Sequence, residues 1–295
     1  MVCCGGYKYI GLTLGLITSI GGRHGRRFTA PDEVAGTVKS KGGIVYSPYN
    51  SDGTCKDEAT FLSDTYKLRD FAFLRLYGVD CNQVTLGITV AKKYDFKLFL
   101  GIHDIANCEG EINKLTTMVG SDWGLVHTVA VGNEVVNSGQ MDPANVVAKV
   151  NIARSLLKLA GYGGPVVAPD TFVAIMNNPD LCQASDYIAA NCHAFFDGKV
   201  PASGAGDFLK TQSENVSKVC GGKEVLITET GWPYRGDPNG VAVPSADNQA
   251  AAISSIKSAM GPKVIYFTAF DDLWKKDNSA TFNAEKYWGI QSLGF

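Results

Sequence analysis

The stretch Glu224–Pro233 reads EVLITETGWP, a short apolar run that leads into a glutamate, a glycine and a proline. Seven similar runs lie elsewhere in the chain: Gly43–Tyr49, Phe71–Gly78, Lys97–His103, Thr128–Val135, Pro165–Phe172, Asp186–Phe196 and Lys263–Asp272. They are almost continuously apolar rather than alternating, which is typical of strands covered on both faces. The sequence therefore predicts eight buried strands.

Helical patterns lie between these runs, at Asp57–Asp70, Pro143–Ala160 and Ser245–Met260, the last with a serine at its start. Eight strand–helix units predict an α/β fold of the (β/α)8 TIM barrel type, with residues 41–295 as a single domain. The alternative is an open doubly wound sheet. That fold usually has a glycine-rich phosphate turn after its first strand, and Tyr46–Asn50 does not resemble one.

The charge balance narrows the class of partner. The chain has 295 residues, a net charge of −2, and 27 basic against 29 acidic residues. No basic surplus indicates a nucleic acid or an anionic membrane, whereas a neutral polymer is compatible with this balance. We expect a monomer that needs no cofactor.

Residues 1–40 are expected to be an N-terminal extension ahead of the barrel. Its mildly apolar run from Tyr9 to Ile20 is too short for a membrane helix. The run is compatible with a weak signal segment or with an irregular extension.

Eight cysteines occur, at positions 3, 4, 55, 81, 108, 182, 192 and 220, and none forms a C-x-x-C pair. Zinc-ribbon and thioredoxin sites are therefore disfavoured. We expect one or two disulfides formed in an oxidising compartment, with buried free thiols as the alternative.

Two glutamates end apolar strands and are the main candidates for catalysis. Glu134 follows Thr128–Asn133, and Glu229 follows Val225–Thr228. A single glutamate at a strand end is more often a structural ion-pair partner. Two of them, on the fourth and seventh strands of one barrel, can converge at its mouth, where barrel enzymes carry their active sites. Glycoside cleavage requires such a pair.

Aromatic side chains form a second group at the same predicted strand ends: Tyr46, Tyr77, Phe195, Phe196, Trp232 and Trp274. Each alone is more often part of a core. Together, beside two acids, they predict a carbohydrate cleft, because sugar rings stack on aromatic planes while amides such as Asn191 bind hydroxyls.

Other chemistries fit less well. His103, His127 and His193 lie near strands but lack the spacing of a metal motif, so we expect no metal site. A lyase or aldolase would need a lysine at a strand end, and Lys275 is the nearest candidate. No G-x-S-x-G elbow or phosphate loop occurs.

The segments around both glutamates, Val131–Glu134 and Ile227–Pro233, resemble the two signatures of glycoside hydrolase family 17, the β-1,3-glucanase and glucanosyltransferase family. Tyr46–Tyr49, Leu74–Gly78 and the run from Phe270 to Lys275 extend the resemblance. It spans about residues 43 to 291 and covers nearly the whole barrel.

The resemblance implies a role for each matched residue. Glu134 corresponds to the acid/base and Glu229 to the nucleophile, and Asn133 would bind the 2-hydroxyl of the sugar under attack. Tyr77 would lie near the nucleophile and Phe196 against a bound glucose. Asp272 and Lys275 would form an ion pair near the acid/base.

Three features depart from the usual family pattern. Ala194 stands where proline is expected, and Asp272 stands where many relatives have glutamate. The stretch from Asp197 to Lys223 is too short for the subdomain of plant members, so the chain resembles the compact fungal type.

We therefore expect a retaining enzyme of the cell wall or extracellular space that acts on β-1,3-glucan or laminari-oligosaccharides. Transfer to a glucan acceptor is the preferred hypothesis, and hydrolysis is the alternative. A catalytically inactive glucan-binding wall protein is a hypothesis of another class. It would predict loss of one glutamate, and both are present.

Overall fold

Nine parallel strands form one curled sheet in the computed structural model, which describes residues 41–294. Numbered in chain order from β1 to β9, they are Lys41–Val45, Phe71–Leu76, Lys97–Ile102, Val126–Val131, Val166–Val167, Asp170–Thr171, Ile188–Asn191, Val225–Thr230 and Val264–Tyr266. Their order in the sheet is β5-β4-β3-β2-β1-β9-β8-β7-β6. The first strand therefore pairs with the last, as in a barrel.

The two ends of this sheet, β5 and β6, are pieces of the single fifth strand that the sequence predicts. Ala168 and Pro169 separate them. Proline has no N–H to donate to a strand ladder, so a continuous strand at this position was the wrong expectation. The carbonyl of Pro169 instead accepts a hydrogen bond from the backbone N–H of Glu134 at 2.9 Å. With β5 and β6 taken as one strand, the predicted (β/α)8 barrel is confirmed.

Eight α-helices accompany the strands within residues 41–294. From α1 to α8 they are Glu58–Lys67, Gln83–Tyr94, Cys108–Val119, Pro143–Leu159, Phe172–Asn177, Asp180–Ala184, Ala205–Val219 and Ala246–Met260. The predicted cap of the last helix is confirmed, because the Ser245 hydroxyl accepts from the Asn248 N–H at 3.1 Å. The stretch from Asp197 to Lys223 contains α7 and short 3-10 turns.

The barrel interior has its own apolar cluster, which includes Val45, Phe99, Leu226 and Ile265. Strand side chains alternate between the two faces of the sheet. Arg75 therefore points into the barrel between two leucines that face the helices, and it is only 1% exposed. A buried guanidinium requires hydrogen-bond acceptors that compensate for its lost hydration. These acceptors lie at the carboxyl ends of the strands.

Most of the apolar runs extend beyond the strands that they contain. The run Phe71–Gly78 stops being a strand after Leu76, and the run Lys263–Asp272 stops after Tyr266. As a result Tyr77, Asn133, Glu134 and Asp272 lie in loops just beyond the strands. Loop residues at this face are free to turn their side chains toward one another, as expected of a barrel active site.

Two disulfides tie the helical layer and the loops of the described chain, as expected. Cys55–Cys81 joins the β1–α1 and β2–α2 loops at the carboxyl ends of the strands. Cys182–Cys220 joins α6 to the end of α7, near the start of the following strands. The buried free thiols of Cys108 and Cys192 accompany them.

Two further expectations concern membranes and the chain start. Within residues 41–294, no helix is long and apolar enough to cross a membrane. The expected extension over residues 1–40, with its signal-like run, lies outside the described residues.

Candidate active site

A cleft with a volume of about 490 Å³ opens at the carboxyl ends of the strands. Its walls come from the residues that follow β1, β2, β3, β4, β7 and β9, together with Glu229 of β8. The site residues predicted from the sequence that line it are Tyr77, Asn133, Phe196, Glu229, Asp272, Trp274 and Lys275. The fold thus assembles side chains that are up to about two hundred positions apart in sequence.

Glu229 lies at the floor of this cleft and is 5% exposed. Its Oε1 accepts hydrogen bonds from Tyr77 Oη at 2.5 Å and from Arg75 Nη1 at 3.1 Å. His193 Nε2 lies 3.5 Å from the other oxygen, Oε2. Burial alone would raise the pKa of this carboxyl, but the Arg75 charge, His193 and the Tyr77 hydroxyl outweigh it. The pKa of Glu229 is therefore held well below its usual range, and the group is a carboxylate at neutral pH.

Arg75 is the centre of the hydrogen-bond network beneath the cleft. Besides Glu229, its guanidinium donates to the Thr228 carbonyl at 2.7 Å and to Asn133 Oδ1 at 2.8 Å. It also reaches Asn191 Oδ1 at 3.5 Å. A planar guanidinium with five fixed donors can hold several oxygens in one geometry, which a lysine ammonium cannot do as rigidly.

Glu134 lies beside this network and is 7% exposed. Its Oε1 accepts a hydrogen bond from Asn191 Nδ2 at 3.0 Å, and the same nitrogen donates to Asn133 Oδ1 at 3.1 Å. Asn191 Oδ1 accepts from Thr228 Oγ1 at 2.8 Å. Asn191 thus donates a hydrogen bond to Glu134, and its side-chain oxygen and Glu229 both accept from the Arg75 guanidinium. These contacts fix the position of the two acids relative to each other.

The backbone around Glu134 has an unusual conformation that is held from the neighbouring strand. Glu134 has a positive φ of 53°, which is uncommon for a residue with a side chain. The Asp170 carboxyl of β6 accepts from the N–H groups of Val136 and Asn137 at 2.9 and 3.2 Å. Burial raises the pKa of Asp170 to about 6, against the opposing effect of these N–H groups. A strained, well-anchored backbone at this position is consistent with a functional side chain.

The loop after β9 contributes an ion pair and an aromatic ring. Lys275 Nζ lies 3.2 Å from Asp272 Oδ2, so the expected pair forms. The Trp274 indole donates to Asp272 Oδ1 at 3.1 Å and to Ser47 Oγ at 3.0 Å. Aspartate in place of the longer glutamate therefore still reaches both partners.

The aromatic residues divide into two groups. Tyr77, Phe196 and Trp274 line the cleft, as expected of a sugar-binding surface. Tyr46, Phe195 and Trp232 do not, because each is completely buried. The side-chain polar atoms of the buried tyrosine and tryptophan are satisfied inside the protein, by Asp64 Oδ2 and the Val243 carbonyl respectively. The expectation that Tyr46 and Trp232 form part of the binding surface is therefore corrected, and both belong to the core.

Asn191 also occupies a different place from the one expected. It is 2% exposed and is not among the described residues that line the cleft. Its bonds to Glu134, Asn133 and Thr228 make it a support for the acids.

Sequence reasoning did not single out several residues that complete the site. Arg75 and His193 contact Glu229, while Trp288 and Glu285 line the cleft. Burial raises the pKa of Glu285, and the Lys275 charge opposes that effect. An arginine inside an apolar strand run was a usable signal, since a buried charge needs a partner. No comparable signal marked Glu285, which lies in an irregular segment.

This arrangement has the chemical requirements of a displacement by two carboxyl groups. The Glu229 carboxyl is held ionised and can attack or stabilise a cationic centre. The Glu134 carboxyl belongs to the same hydrogen-bond network. In the part of the chain that the structure describes, no group of three or more potential ligands could hold a metal ion.

Comparison with known proteins gives independent evidence on the family and the fold. A family model described as the BtgE/BtgC glycoside hydrolase domain matches residues 43–289. The cell surface mannoprotein MP65 of Candida albicans is 52% identical over 265 residues, which cover 88% of this chain and 69% of that protein. The probable family 17 glucosidase SCW10 of Saccharomyces cerevisiae is 50% identical over 253 residues, covering 85% of this chain and 64% of that protein. The chain thus spans about two thirds of these relatives.

Among solved structures, the chain resembles a glycoside hydrolase family 17 β-1,3-glucanosyltransferase from Rhizomucor miehei. The TM-score is 0.72 at 22% identity, over 85% of this chain and 93% of that one. An active-site mutant of the same enzyme, in complex with laminaritriose, matches equally well. These likenesses independently support the barrel fold.

Proposed function

The chain belongs to glycoside hydrolase family 17, in its BtgE/BtgC group, and from this premise we propose that it is a retaining β-1,3-glucanosyltransferase. The observation that carries the proposal is the bonding of the two glutamates. Glu229 is kept as a carboxylate by its contacts with Arg75, Tyr77 and His193. Glu134 is held in the same hydrogen-bond network by Asn191.

In the first step, Glu134 donates its proton to the glycosidic oxygen, and a Glu229 oxygen attacks the anomeric carbon. The bond from that carbon to the glycosidic oxygen breaks, and the leaving chain departs with a new hydroxyl group. The result is a glucosyl ester on Glu229. Arg75 and Tyr77 both bond Oε1, so Oε2 is the oxygen left to attack.

In the second step, the Glu134 carboxylate removes a proton from an acceptor hydroxyl, whose oxygen attacks the same carbon. The ester bond breaks, Glu229 is restored and the product keeps the original anomeric configuration. Water as acceptor gives hydrolysis, and a second glucan gives transfer. Tyr77, Phe196, Trp274 and Trp288 give the cleft an aromatic surface that favours a sugar acceptor over water.

The substrate proposal rests on the relatives as well as on the cleft. The Rhizomucor miehei enzyme is described as a β-1,3-glucanosyltransferase and has a laminaritriose complex. A neutral glucan also suits a chain whose net charge is only −2.

Location and organisation follow as parts of the same proposal. We infer a monomer in the cell wall or extracellular space, because MP65 is named a cell surface protein and the described part of this chain has two disulfides. Residues 41–295 would be the catalytic barrel and residues 1–40 an extension.

Incubation with an end-labelled laminari-oligosaccharide tests the proposal. We expect products longer than the substrate, and loss of turnover in Glu229→Gln. Products that are only shorter would establish the hydrolase alternative. No turnover by the unaltered protein would support a non-catalytic wall protein, and full turnover by Glu229→Gln would refute the mechanism.

A further inference from the structure

Glu134 lies in a loop and adopts a backbone conformation that residues with a side chain rarely occupy. Its φ of 53° is in the left-handed region. A conformation of this kind persists only where the surrounding structure imposes it. The direction of the Glu134 side chain follows from its backbone, so the groups that impose this conformation also aim the carboxyl group.

The loop that carries Glu134 is bound by the carboxyl group of Asp170, the first residue of β6. Asp170 Oδ2 accepts a hydrogen bond from the Val136 N–H at 2.9 Å. Its Oδ1 accepts from the Asn137 N–H at 3.2 Å and from the Thr171 N–H at 2.8 Å. The loop is thus attached to the strand through the backbone of two successive residues.

An ionised aspartate meets the requirements of this position. Three N–H groups point at two oxygens, so both oxygens must act as acceptors. Burial raises the pKa of Asp170 to about 6, against the opposing effect of the N–H groups, and the carboxyl is therefore mainly ionised at pH 7. Asparagine has nearly the same size, but its amide would present an NH2 group to one of these donors.

The neighbouring strand holds the other end of the same glutamate. β6 pairs with β7, and Thr171 lies opposite Asn191. Asn191 Nδ2 donates to Glu134 Oε1 at 3.0 Å. Two adjacent strands therefore fix Glu134 together: β6 holds its loop through Asp170, and β7 holds its carboxyl group through Asn191.

We propose that Asp170 is the positioning residue for the acid/base: by holding the loop after Glu134, it places the Glu134 carboxyl beside the glycosidic oxygen. This inference rests on the proposed function, because it gives Asp170 a task in that reaction. Asp170 is 3% exposed and both of its oxygens are bonded to backbone N–H groups, so it acts through Glu134 and does not bind the substrate.

The choice of leaving group separates positioning from support of the fold. When the leaving group is a sugar, Glu134 must protonate its oxygen as the bond to the anomeric carbon breaks. In a β-laminaribiosyl fluoride, the carbon–fluorine bond breaks and fluoride departs with the electron pair, with little need of a proton. Glu229 attacks the same carbon in both cases and forms the same ester. A misplaced Glu134 therefore slows the first donor selectively, whereas a disturbed fold slows both.

The chain offers matched variants for a test. Asp170→Asn removes one acceptor, and Asp170→Glu displaces both oxygens by one methylene, as a second variant should the first not fold. The control is Ser185→Ala, because Ser185 is also 3% exposed and its Oγ accepts from the Ala168 N–H at 2.9 Å, in the interrupted fifth strand rather than in the Glu134 loop. Glu134→Ala, alone and combined with Asp170→Asn, supplies the reference. Urea unfolding verifies that each protein is folded.

The measured quantity is the ratio of kcat/KM for laminaripentaose to kcat/KM for β-laminaribiosyl fluoride at pH 7. We expect Asp170→Asn to lower this ratio about ten- to hundredfold, with the fluoride value within about threefold of native, because misplacing a proton donor loses part of its contribution. Asp170→Glu should lower it less, and Ser185→Ala should leave it unchanged. The double variant should have the same ratio as Glu134→Ala, since Asp170 acts only through that residue.

Each other outcome has one meaning. A native ratio in folded Asp170 variants would overturn the inference, and so would an equal loss with both donors, which indicates support of the fold. An equal fall of the ratio in Ser185→Ala would also overturn it. A further fall in the double variant would show that Asp170 does not act through Glu134. Absence of turnover of both donors by the unaltered protein would refute the proposed function, and this inference with it.

Discussion

Replacement of Arg75 by methionine tests the electrostatic design of the site most directly. Methionine approximates the length of the arginine stem and removes the charge. In the native protein this guanidinium contacts four oxygens, at 2.7 Å from Thr228 O, 2.8 Å from Asn133 Oδ1, 3.1 Å from Glu229 Oε1 and 3.5 Å from Asn191 Oδ1. The substitution leaves Glu229 buried without its main counter-charge.

The expected loss of stability depends on pH. Removal of one partner from a buried ion pair costs about 3–5 kcal/mol. In the native protein, the pKa of Glu229 is depressed. Its contribution to stability is therefore complete above the unfolded pKa of about 4.3 and disappears as pH falls through the folded pKa. In the variant, burial raises the pKa of Glu229 above the native value, so the carboxyl becomes neutral at low pH and the penalty diminishes there.

Urea unfolding of both proteins at pH 4 and pH 7 measures this difference. We expect Arg75→Met to be less stable by about 3–5 kcal/mol at pH 7 and by a smaller amount at pH 4. The acidic limb of its kcat/KM profile should move to higher pH, because Glu229 must be ionised to attack.

A surface arginine provides the control. Arg154 pairs with Asp186 at 3.4 Å, with the two side chains 34% and 46% exposed, and it also donates to the Ala184 and Val166 carbonyls at 2.6 and 3.2 Å. Because this arginine does not line the cleft, Arg154→Met should cost about 1–2 kcal/mol without a shift of the pH profile. Equal destabilisation of Arg75→Met at both pH values, together with an unmoved acidic limb, would refute the reasoning.

Three other predictions follow from contacts around the site and from the fold. Tyr77→Phe removes a hydrogen bond to the Glu229 carboxylate and should lower kcat/KM roughly ten- to hundredfold with the fold intact, as steady-state kinetics would show; a native rate would contradict that role. With an aryl β-glucoside donor and azide, Glu134→Ala should yield the β-glucosyl azide and Glu229→Ala the α-anomer, distinguished by NMR, and the reverse pattern would exchange the two roles. Loss of the Cys182–Cys220 disulfide, whose cysteines are 38 residues apart, should lower the free energy of unfolding by about 4 kcal/mol in urea, and an unchanged midpoint would contradict this.

The sequence predicted those structural features that depend only on residues close together in the chain. The apolar runs located the strands and the barrel, because a strand buried on both faces must be apolar over its whole length. The same patterns located Glu134 and Glu229, each of which ends such a run. Local rules also predicted the Ser245 cap, since the hydroxyl satisfies an N–H only three residues away.

Sequence patterns did not distinguish the aromatic side chains that line the cleft from those that lie in the core. Tyr77 and Tyr46 occupy similar positions beyond a strand, yet the hydroxyl of the first bonds to Glu229 and that of the second to Asp64 inside the protein. Whether an aromatic side chain faces a cleft depends on which loops cover it, and those loops come from distant parts of the sequence. Trp232 was misplaced for the same reason: the Val243 carbonyl of a later loop satisfies its indole.

The sequence by itself determined the barrel, the two glutamates and the family. Only the tertiary structure decided that Arg75 connects Glu229 to Asn133 and Asn191, and that the buried Asn191 amide holds Glu134. The physical reason is that strand periodicity is a property of consecutive residues, whereas a buried charge or amide is specified by partners that the closed barrel brings together across more than a hundred positions of the chain.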